Sequence, residues 1–182
     1  QKAVDDRSKT NILSVGRLEY QKNYKQLLKE FENTKDTYKI TIIGTGSQKN
    51  FLLNSAKNMN IDLDIVQNMG NENLVQMYKH FKYYISFSLF EGNPKTVLEA
   101  LSNQCIVFAS NIPNHKELIK DGVNGFLFSD VNELVDKFNF IKNNPSECEQ
   151  IRLNCLSSLN NNEIANVAKL MYEDYRSLVS FK

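Results

Sequence analysis

The sequence predicts a layered α/β domain built on a parallel sheet with helices on both faces. Two patterns and one constraint carry that prediction. Short apolar runs of strand length alternate along the chain with segments whose apolar residues recur at helical spacing. Such alternation implies parallel strands joined by right-handed crossovers, which place helices on either side of the sheet. At 182 residues, 41% hydrophobic and 24% charged, the chain suits one substantial core and is short for two.

The elements follow in order. Residues 1–10 are polar without periodicity and read as a linker. Residues 12–15 form the first expected strand. Tyr24, Leu27, Leu28 and Phe31 then recur at helical spacing. Strands are expected at 39–43 and 63–66, followed by a second helical stripe of Leu74, Val75, Tyr78 and Phe81. Further strands are expected at 83–87 and 105–109, and a short sixth at 125–128. The rest reads as helical: 131–142, 145–159, and a last helix at 163–178 whose stripe carries Ile164, Val167, Ala168, Met171, Tyr172, Tyr175 and Leu178. The expected organisation is a linker at 1–10, an α/β domain at 11–160 and a terminal helical segment at 161–182.

Charge and composition exclude several classes. The formal net charge of +1 gives no electrostatic case for nucleic acid or membrane. There is no run of 18 apolar residues and no signal-peptide pattern. Cys105, Cys148 and Cys155 have no metal-ligand spacing, and an odd count without a framework suits a reducing cytoplasm. The chain opens on Gln1 rather than Met, so a piece of a longer protein is expected.

The most informative stretch is Phe-Glu-Gly-Asn-Pro-Lys-Thr-Val-Leu-Glu-Ala, residues 90–100. Asn93 is a favoured N-cap type and Pro94 a favoured first helical residue, so a helix start is expected there. The preceding strand delivers its carboxyl end to this turn, where open α/β sheets bind ligands and a helix N-terminus attracts anions. Lys95 and Thr96 fall in the first turn, where an acid is the usual choice. The helix's positive end is therefore reinforced rather than neutralised. Glu99 lies one turn further in, roughly 7–8 Å beyond Pro94 at about 1.5 Å per residue. Helical side chains lean toward the N-terminus, so Glu99 can point to the same mouth. That arrangement suits a carboxylate holding sugar hydroxyls while a phosphate rests at the helix start. The same residues also fit a self-capped surface helix with Lys95 and Glu99 as an i,i+4 pair, in the weaker orientation.

The stretch resembles the signature of two glutamates seven residues apart found in retaining glycosyltransferases of family 4, which have the GT-B fold. Ser88, Glu91, Gly92, Glu99 and Ala100 match that signature. Three further segments are similar to the family's. They are Ser14-Val15-Gly16-Arg17-Leu18 with Lys22-Asn23, then Ile42 to Ser47, and Glu117-Leu118-Ile119 with Asp121 to Leu127. The ordered set covers residues from about 12 to 128. It implies a Rossmann-like parallel sheet, the C-terminal, donor-binding half of a GT-B glycosyltransferase.

The resemblance carries expectations about the site. Arg17 and Lys22 would contact the diphosphate of a nucleotide-sugar, UDP- or GDP-linked, one as a planar fork and one as a point charge. Gly16 belongs to the same segment, and backbone N–H groups around Asn93, Pro94, Lys95 and Thr96 would add to the anion site. Glu99 would hold the ribose hydroxyls, and Glu91 would lie beside the donor sugar as the catalytic-site carboxylate. Transfer would be metal-independent and without a cofactor, since the sequence holds no Asp-x-Asp pair suited to a metal and no His cluster. Pro94 stands where the family often has Gly; it removes one N–H and stiffens the loop. The expected partners are a saccharide or lipid-linked acceptor in cell-surface polysaccharide synthesis and an N-terminal domain beyond this stretch, with no nucleic acid. The terminal helix would cross toward that domain, although the family's frequent Trp before it is absent from a chain with no Trp. The expected location is cytoplasmic, at the inner face of the membrane if the missing domain associates peripherally.

Other readings stay open on the residues alone. Another GT-B enzyme such as an epimerase or phosphorylase shares the fold, and a non-catalytic nucleotide-binding module needs only the binding half. Gly44-Thr45-Gly46 fits either a ligand-approaching loop or a plain turn. The resemblance implies that Asn68-Met69-Gly70, after the third strand, meets the nucleotide base mostly through backbone. His80 reads as a surface residue at a helix end, His115 as structural rather than catalytic, and Glu117 as an anchor for local backbone.

Overall fold

The computed structural model describes residues 8–32 and 38–159. Six strands form one sheet: β1 (Ser8–Val15), β2 (Lys39–Ile43), β3 (Asp62–Val66), β4 (Phe81–Ser86), β5 (Ile106–Ser110) and β6 (Phe126–Phe128). Their order is β3-β2-β1-β4-β5-β6, and every pairing is parallel. This is the doubly wound Rossmann order, and it reverses between β1 and β4. The two strands meet in register at Ile12 with Tyr83 and Leu13 with Tyr84. The segments leaving their carboxyl ends lead to opposite faces of the sheet, and such a switch point is where doubly wound sheets bind ligands.

Among the described residues seven α-helices connect or cover the strands: α1 (Tyr24–Phe31), α2 (Lys49–Asn58), α3 (Asn71–His80), α4 (Lys95–Ser102), α5 (Pro113–Leu118), α6 (Val131–Asn143) and α7 (Pro145–Leu159). The strand period of two divides the core cleanly. Ile12, Tyr83, Ile85, Ile106 and Phe108 face one layer, where they meet Leu27 and Leu28 of α1, Leu52 of α2 and Phe138 of α6. Leu13, Val15, Tyr84, Val107 and Ala109 face the other, against Tyr78 of α3 and Val97, Ala100 and Leu101 of α4. Phe138 ties the first layer together, with ring centroids 4.7 Å from Tyr83, 5.2 Å from Phe108 and 5.4 Å from Tyr38. α7 contributes to both layers, Cys148 and Ile151 to the first and Cys155 to the second.

Several boundaries differ from the sequence-based expectation. β1 begins at Ser8, inside the span read as linker, because Ser8 pairs with Phe81 through backbone and needs no apolar pattern to do so. Phe81, counted with the α3 stripe, is instead the first residue of β4; helix passes into strand with no loop, and an apolar residue serves either element. Val75, also placed on that stripe, is exposed. Asn93 is not the cap of α4. Pro94 occupies the N-cap position at ψ 55°, its carbonyl accepting from Val97 and Leu98, and no side chain caps the helix. The proline ring fixes φ but not ψ, so the chain enters the helix one residue later than the Asn-Pro pair suggests. The expected helix at 163–178 lies outside the described residues, as do residues 1–7. Among the described residues no helix is long and apolar enough to cross a membrane.

Candidate functional site

Three loops at the carboxyl end of the sheet are locked together by backbone. Gly16 N–H bonds the carbonyl of Ile43 at 3.0 Å, Gly44 N–H that of Val66 at 2.9 Å, and Leu18 N–H that of Thr45 at 2.8 Å. Glycine is required for this approach. A Cβ on Gly44 would stand 1.9 Å from Gly16 O, and one on Gly46 2.5 Å from Leu18 O. The Gly-Thr-Gly segment therefore serves loop-to-loop packing. Glu19 strengthens the tie, its two carboxylate oxygens accepting from the Ser47 N–H and hydroxyl at 2.8 Å each. Those bonds hold its carboxyl below the usual range.

Gly16 has a second use. A Cβ there would fall 2.7 Å from Cε of Lys22. Its absence lets the lysine stem cross the end of β1 and carry Nζ to Oε1 of Glu91. These side chains are 14% and 7% exposed, so the pair is largely withdrawn from water. Ser88 Oγ donates to the same Glu91 oxygen at 2.5 Å. Gln21 Nε2 bonds the Phe90 carbonyl at 2.7 Å and lies 3.4 Å from Glu91 Oε2. Arg17 is exposed, and among the described residues its side chain makes one hydrogen bond, a long 3.4 Å contact to Gln21 Oε1, beside its electrostatic pull on Glu19. The segment after β1 and the loop before α4 thus form one unit, with a restrained lysine–glutamate pair and a loosely held guanidinium.

The start of α4 adjoins this unit. No acid lies in its first turn. Thr96 Oγ1 accepts from the Tyr84 hydroxyl at 2.9 Å, and Glu99 Oε2 accepts from the Tyr78 hydroxyl at 3.0 Å. Glu99 turns its carboxylate to Tyr78, which the plain surface-pair reading did not anticipate. Burial pushes the Glu99 carboxyl above its ordinary value, while the Tyr78 hydroxyl and the Lys95 charge pull it down. Burial drives both tyrosine hydroxyls well up, so they stay protonated donors. Tyr24, beneath Gly16, is raised for the same reason, and its hydroxyl has no hydrogen-bond partner among the described residues.

A buried network supports the loop from behind. Ser110 Oγ donates to the Ser88 carbonyl at 2.5 Å, and His115 Nδ1 lies 2.8 Å from the Ser110 carbonyl. Asn114 Nδ2 bonds the Gly92 carbonyl at 3.0 Å. His115 is fully buried, and burial lowers its pKa, which leaves a neutral ring. A carbonyl partner makes Nδ1 the donor, and the bare Nε2 is then a buried acceptor with no partner among the described residues. The expected structural role of His115 fits this position. His80 is exposed at the end of α3, as expected. The Glu117 side chain is exposed and makes no hydrogen bond among the described residues; the local anchoring falls to Asn124, which accepts from Lys120 N at 2.8 Å and donates to the Leu118 carbonyl at 3.0 Å.

Of the residues expected from sequence, Gly16, Arg17, Lys22 and Glu91 are joined in one network. Pro94, Lys95, Thr96 and Glu99 share the first two turns of α4 or its entry. Asn93 is exposed, its carbonyl accepting from Lys95 N at 2.9 Å. Gln21, Tyr78, Tyr84, Ser110 and Asn114 were not anticipated as site residues. Tyr78 was visible only as an apolar position of its helix, and Ser110 left no signal.

A doubly wound sheet of this order places its ligand site outside the carboxyl ends of the strands, at the switch point where these cations and carboxylates gather. Residues 1–155 match the family described as Glycosyl transferases group 1, and the chain belongs to that family. It is 29% identical over 136 residues to an N-acetylgalactosaminyltransferase of Campylobacter jejuni that is named for a diphospho-undecaprenol acceptor, covering 73% of this chain and 37% of that protein. It is 30% identical over 171 residues to an uncharacterized glycosyltransferase of Haemophilus influenzae, covering 90% of this chain and 44% of that protein. The chain thus spans less than half the length of these relatives. The fold is similar to that of HepE from Anabaena in complex with UDP, with a TM-score of 0.78 at 16% identity, covering 92% of this chain and 49% of that one.

Proposed function

We propose that this chain is the donor-binding half of a retaining, metal-independent glycosyltransferase. It takes a nucleotide-diphosphate sugar, and the transferred sugar goes to a saccharide or lipid-linked acceptor in cell-surface polysaccharide synthesis. The observation that carries this reading is the meeting, at one switch point, of the Lys22–Glu91 pair with the uncapped start of α4 and the half-buried Glu99. The binding of UDP by the Anabaena neighbour and the lipid-diphosphate acceptor in the Campylobacter relative's name support the choice of substrates.

In this reading Arg17 and Lys22 take the diphosphate, together with N–H groups of Asn93 and Thr96 at the entry of α4, where Pro94 has none and the Lys95 N–H must leave the Asn93 carbonyl to join them. A leaving diphosphate gains negative charge, and fixed cations with oriented N–H dipoles stabilise it without reorganisation. Gly16 gives the lysine its path. Glu99 accepts from the ribose hydroxyls. Glu91 lies beside the reacting sugar, and its charge stabilises positive charge that builds there as the bond to the diphosphate weakens. When the diphosphate recruits Lys22, the glutamate is released toward the sugar.

The division into a linker at 1–10, a donor domain at 11–160 and a terminal helix at 161–182 crossing to an N-terminal domain belongs to the same proposal, as does a cytoplasmic location at the inner membrane face. The test is a calorimetric titration of the chain with UDP, GDP and ADP in the absence of metal, beside Glu99→Ala. Binding of one nucleotide that weakens in the variant supports the donor site and names the base. Equal binding by the variant removes Glu99 from the site, and sugar transfer by the 182-residue chain alone overturns the requirement for a further domain.

A further inference from the structure

Tyr78 is fully buried, yet its hydroxyl lies 3.0 Å from Glu99 Oε2. A hydroxyl has one proton, and a carboxylate only accepts, so Tyr78 donates. The Thr96 carbonyl, at 3.4 Å, is the weaker competitor for that proton. Glu99 Oε1 makes no hydrogen bond among the described residues.

The tyrosine is itself fixed. Its ring centroid lies 5.9 Å from that of Tyr84, whose hydroxyl braces Thr96 in the first turn of α4. Its backbone carbonyl accepts from Cys105 Sγ at 3.3 Å. A glutamate on a helix surface samples many rotamers, and ordering it opposes binding. Here the ordering is done before any ligand arrives.

We propose that Tyr78 is a positioning residue that holds the Glu99 carboxylate in one orientation, Oε2 engaged and Oε1 left to receive the vicinal diol of the donor's ribose. This rests on the ribose reading of Glu99 given above. Oε1 and the second lone pair of Oε2 provide acceptors for two hydroxyls at once. The direction of the Glu99 proton equilibrium agrees, since burial favours the neutral acid, which would lose an acceptor site, and Tyr78 opposes that. The titratable groups around Glu99 are Tyr78 on α3, Tyr84 on β4 and Lys95 on its own helix, with Cys105 behind Tyr78.

The test uses the full-length protein and calorimetry. The probes are whichever of UDP, GDP and ADP the wild type binds most tightly and its 2′-deoxy analogue, from pH 5.5 to 8. Tyr78→Phe keeps the ring and removes the donor. The expected result is a loss of roughly 5- to 10-fold for the ribonucleotide, the scale of one ordinary net hydrogen bond, with little change for the deoxy analogue. The pH at which ribonucleotide binding falls away moves upward, because Glu99 protonates more readily without its donor. In a Glu99→Ala background Tyr78→Phe has no further effect.

Equal losses for both nucleotides, an unmoved pH midpoint, or a further loss in the Glu99→Ala background would reduce Tyr78 to packing and overturn the proposal. If Tyr78→Phe does not fold, Glu99→Gln decides. Its amide oxygen still accepts from Tyr78, so it keeps part of the ribose preference that Glu99→Ala loses; equal loss in both overturns the proposal. A wild type that binds no nucleotide, or does not distinguish ribose from deoxyribose, overturns the ribose reading itself. That result is distinct because it is already present before Tyr78 is touched.

Discussion

Lys22 Nζ meets Glu91 Oε1 across 69 residues of sequence, and the contact joins the two loops that diverge at the reversal of strand order. With side chains 14% and 7% exposed, removing one partner strands a charge that water reaches poorly. Such single removals cost about 3–5 kcal/mol in buried pairs, while removing both partners costs less than the sum. Lys22→Met and Glu91→Leu are therefore expected to be strongly non-additive, with a coupling on the order of 1–3 kcal/mol in a double-mutant cycle by urea denaturation. Additive losses would mean that the pair is not what joins the loops.

The glycines of the site divide into two groups. Gly44 faces backbone that cannot retreat, with Gly16 O 1.9 Å from a built Cβ. Gly92, inside the glutamate loop, has nothing within 4 Å of one. Gly44→Ala is expected to destabilise by about 1–3 kcal/mol, the range for overpacking. Gly92→Ala is expected within about 0.5 kcal/mol of wild type, as for an open surface position. Thermal melts of the two variants side by side check this, and comparable losses would contradict it.

The contrast between those glycines also shows how far sequence reaches. The strands were legible because both faces of each central strand are covered, so Ile12 and Leu13 could both be apolar and still belong to one element. Lys22 and Glu91 were legible as members of separate motifs, but their contact was not, since it depends on the β1–β4 register and on Gly16 leaving space. Tyr78 was hidden for another reason. Its ring satisfies the helical stripe, and nothing in that spacing reveals that the hydroxyl reaches a carboxylate. Pro94 misled by one residue, because an Asn-Pro pair fixes φ at the turn and leaves ψ to the tertiary structure.

His115 sets a pH dependence of stability. Its folded pKa lies below the ordinary value of 6.5 because burial disfavours the imidazolium. As pH falls through about 6.5 the unfolded chain takes the proton first, so the folded state loses stability from there down toward the depressed folded value. Glu99 and Glu30 act with the opposite sign. Their raised folded pKa values let the folded state take protons first, which favours it as pH falls toward 4.5. His115→Gln is expected to flatten the decline in unfolding free energy between pH 7.5 and 5.5. Urea titrations across that window measure it, and an unchanged slope would show that His115 is not buried neutral.

Arg17 separates binding from stability. It is exposed, and its contact to Gln21 is 3.4 Å long, so the fold gains little from it. A guanidinium left this loosely held is available to a diphosphate, where a charge-assisted bond contributes about 1.5–3 kcal/mol. Arg17→Ala is expected to leave the melting temperature unchanged and to weaken nucleoside-diphosphate binding by roughly 10- to 100-fold. Arg17→Lys keeps the charge but not the planar fork, so it is expected to recover only part of the loss. Rising salt should narrow the gap between wild type and Arg17→Ala, since screening acts most on an exposed charge. Calorimetry at two ionic strengths tests all three expectations, and full recovery by lysine would mean that Arg17 acts as a point charge alone.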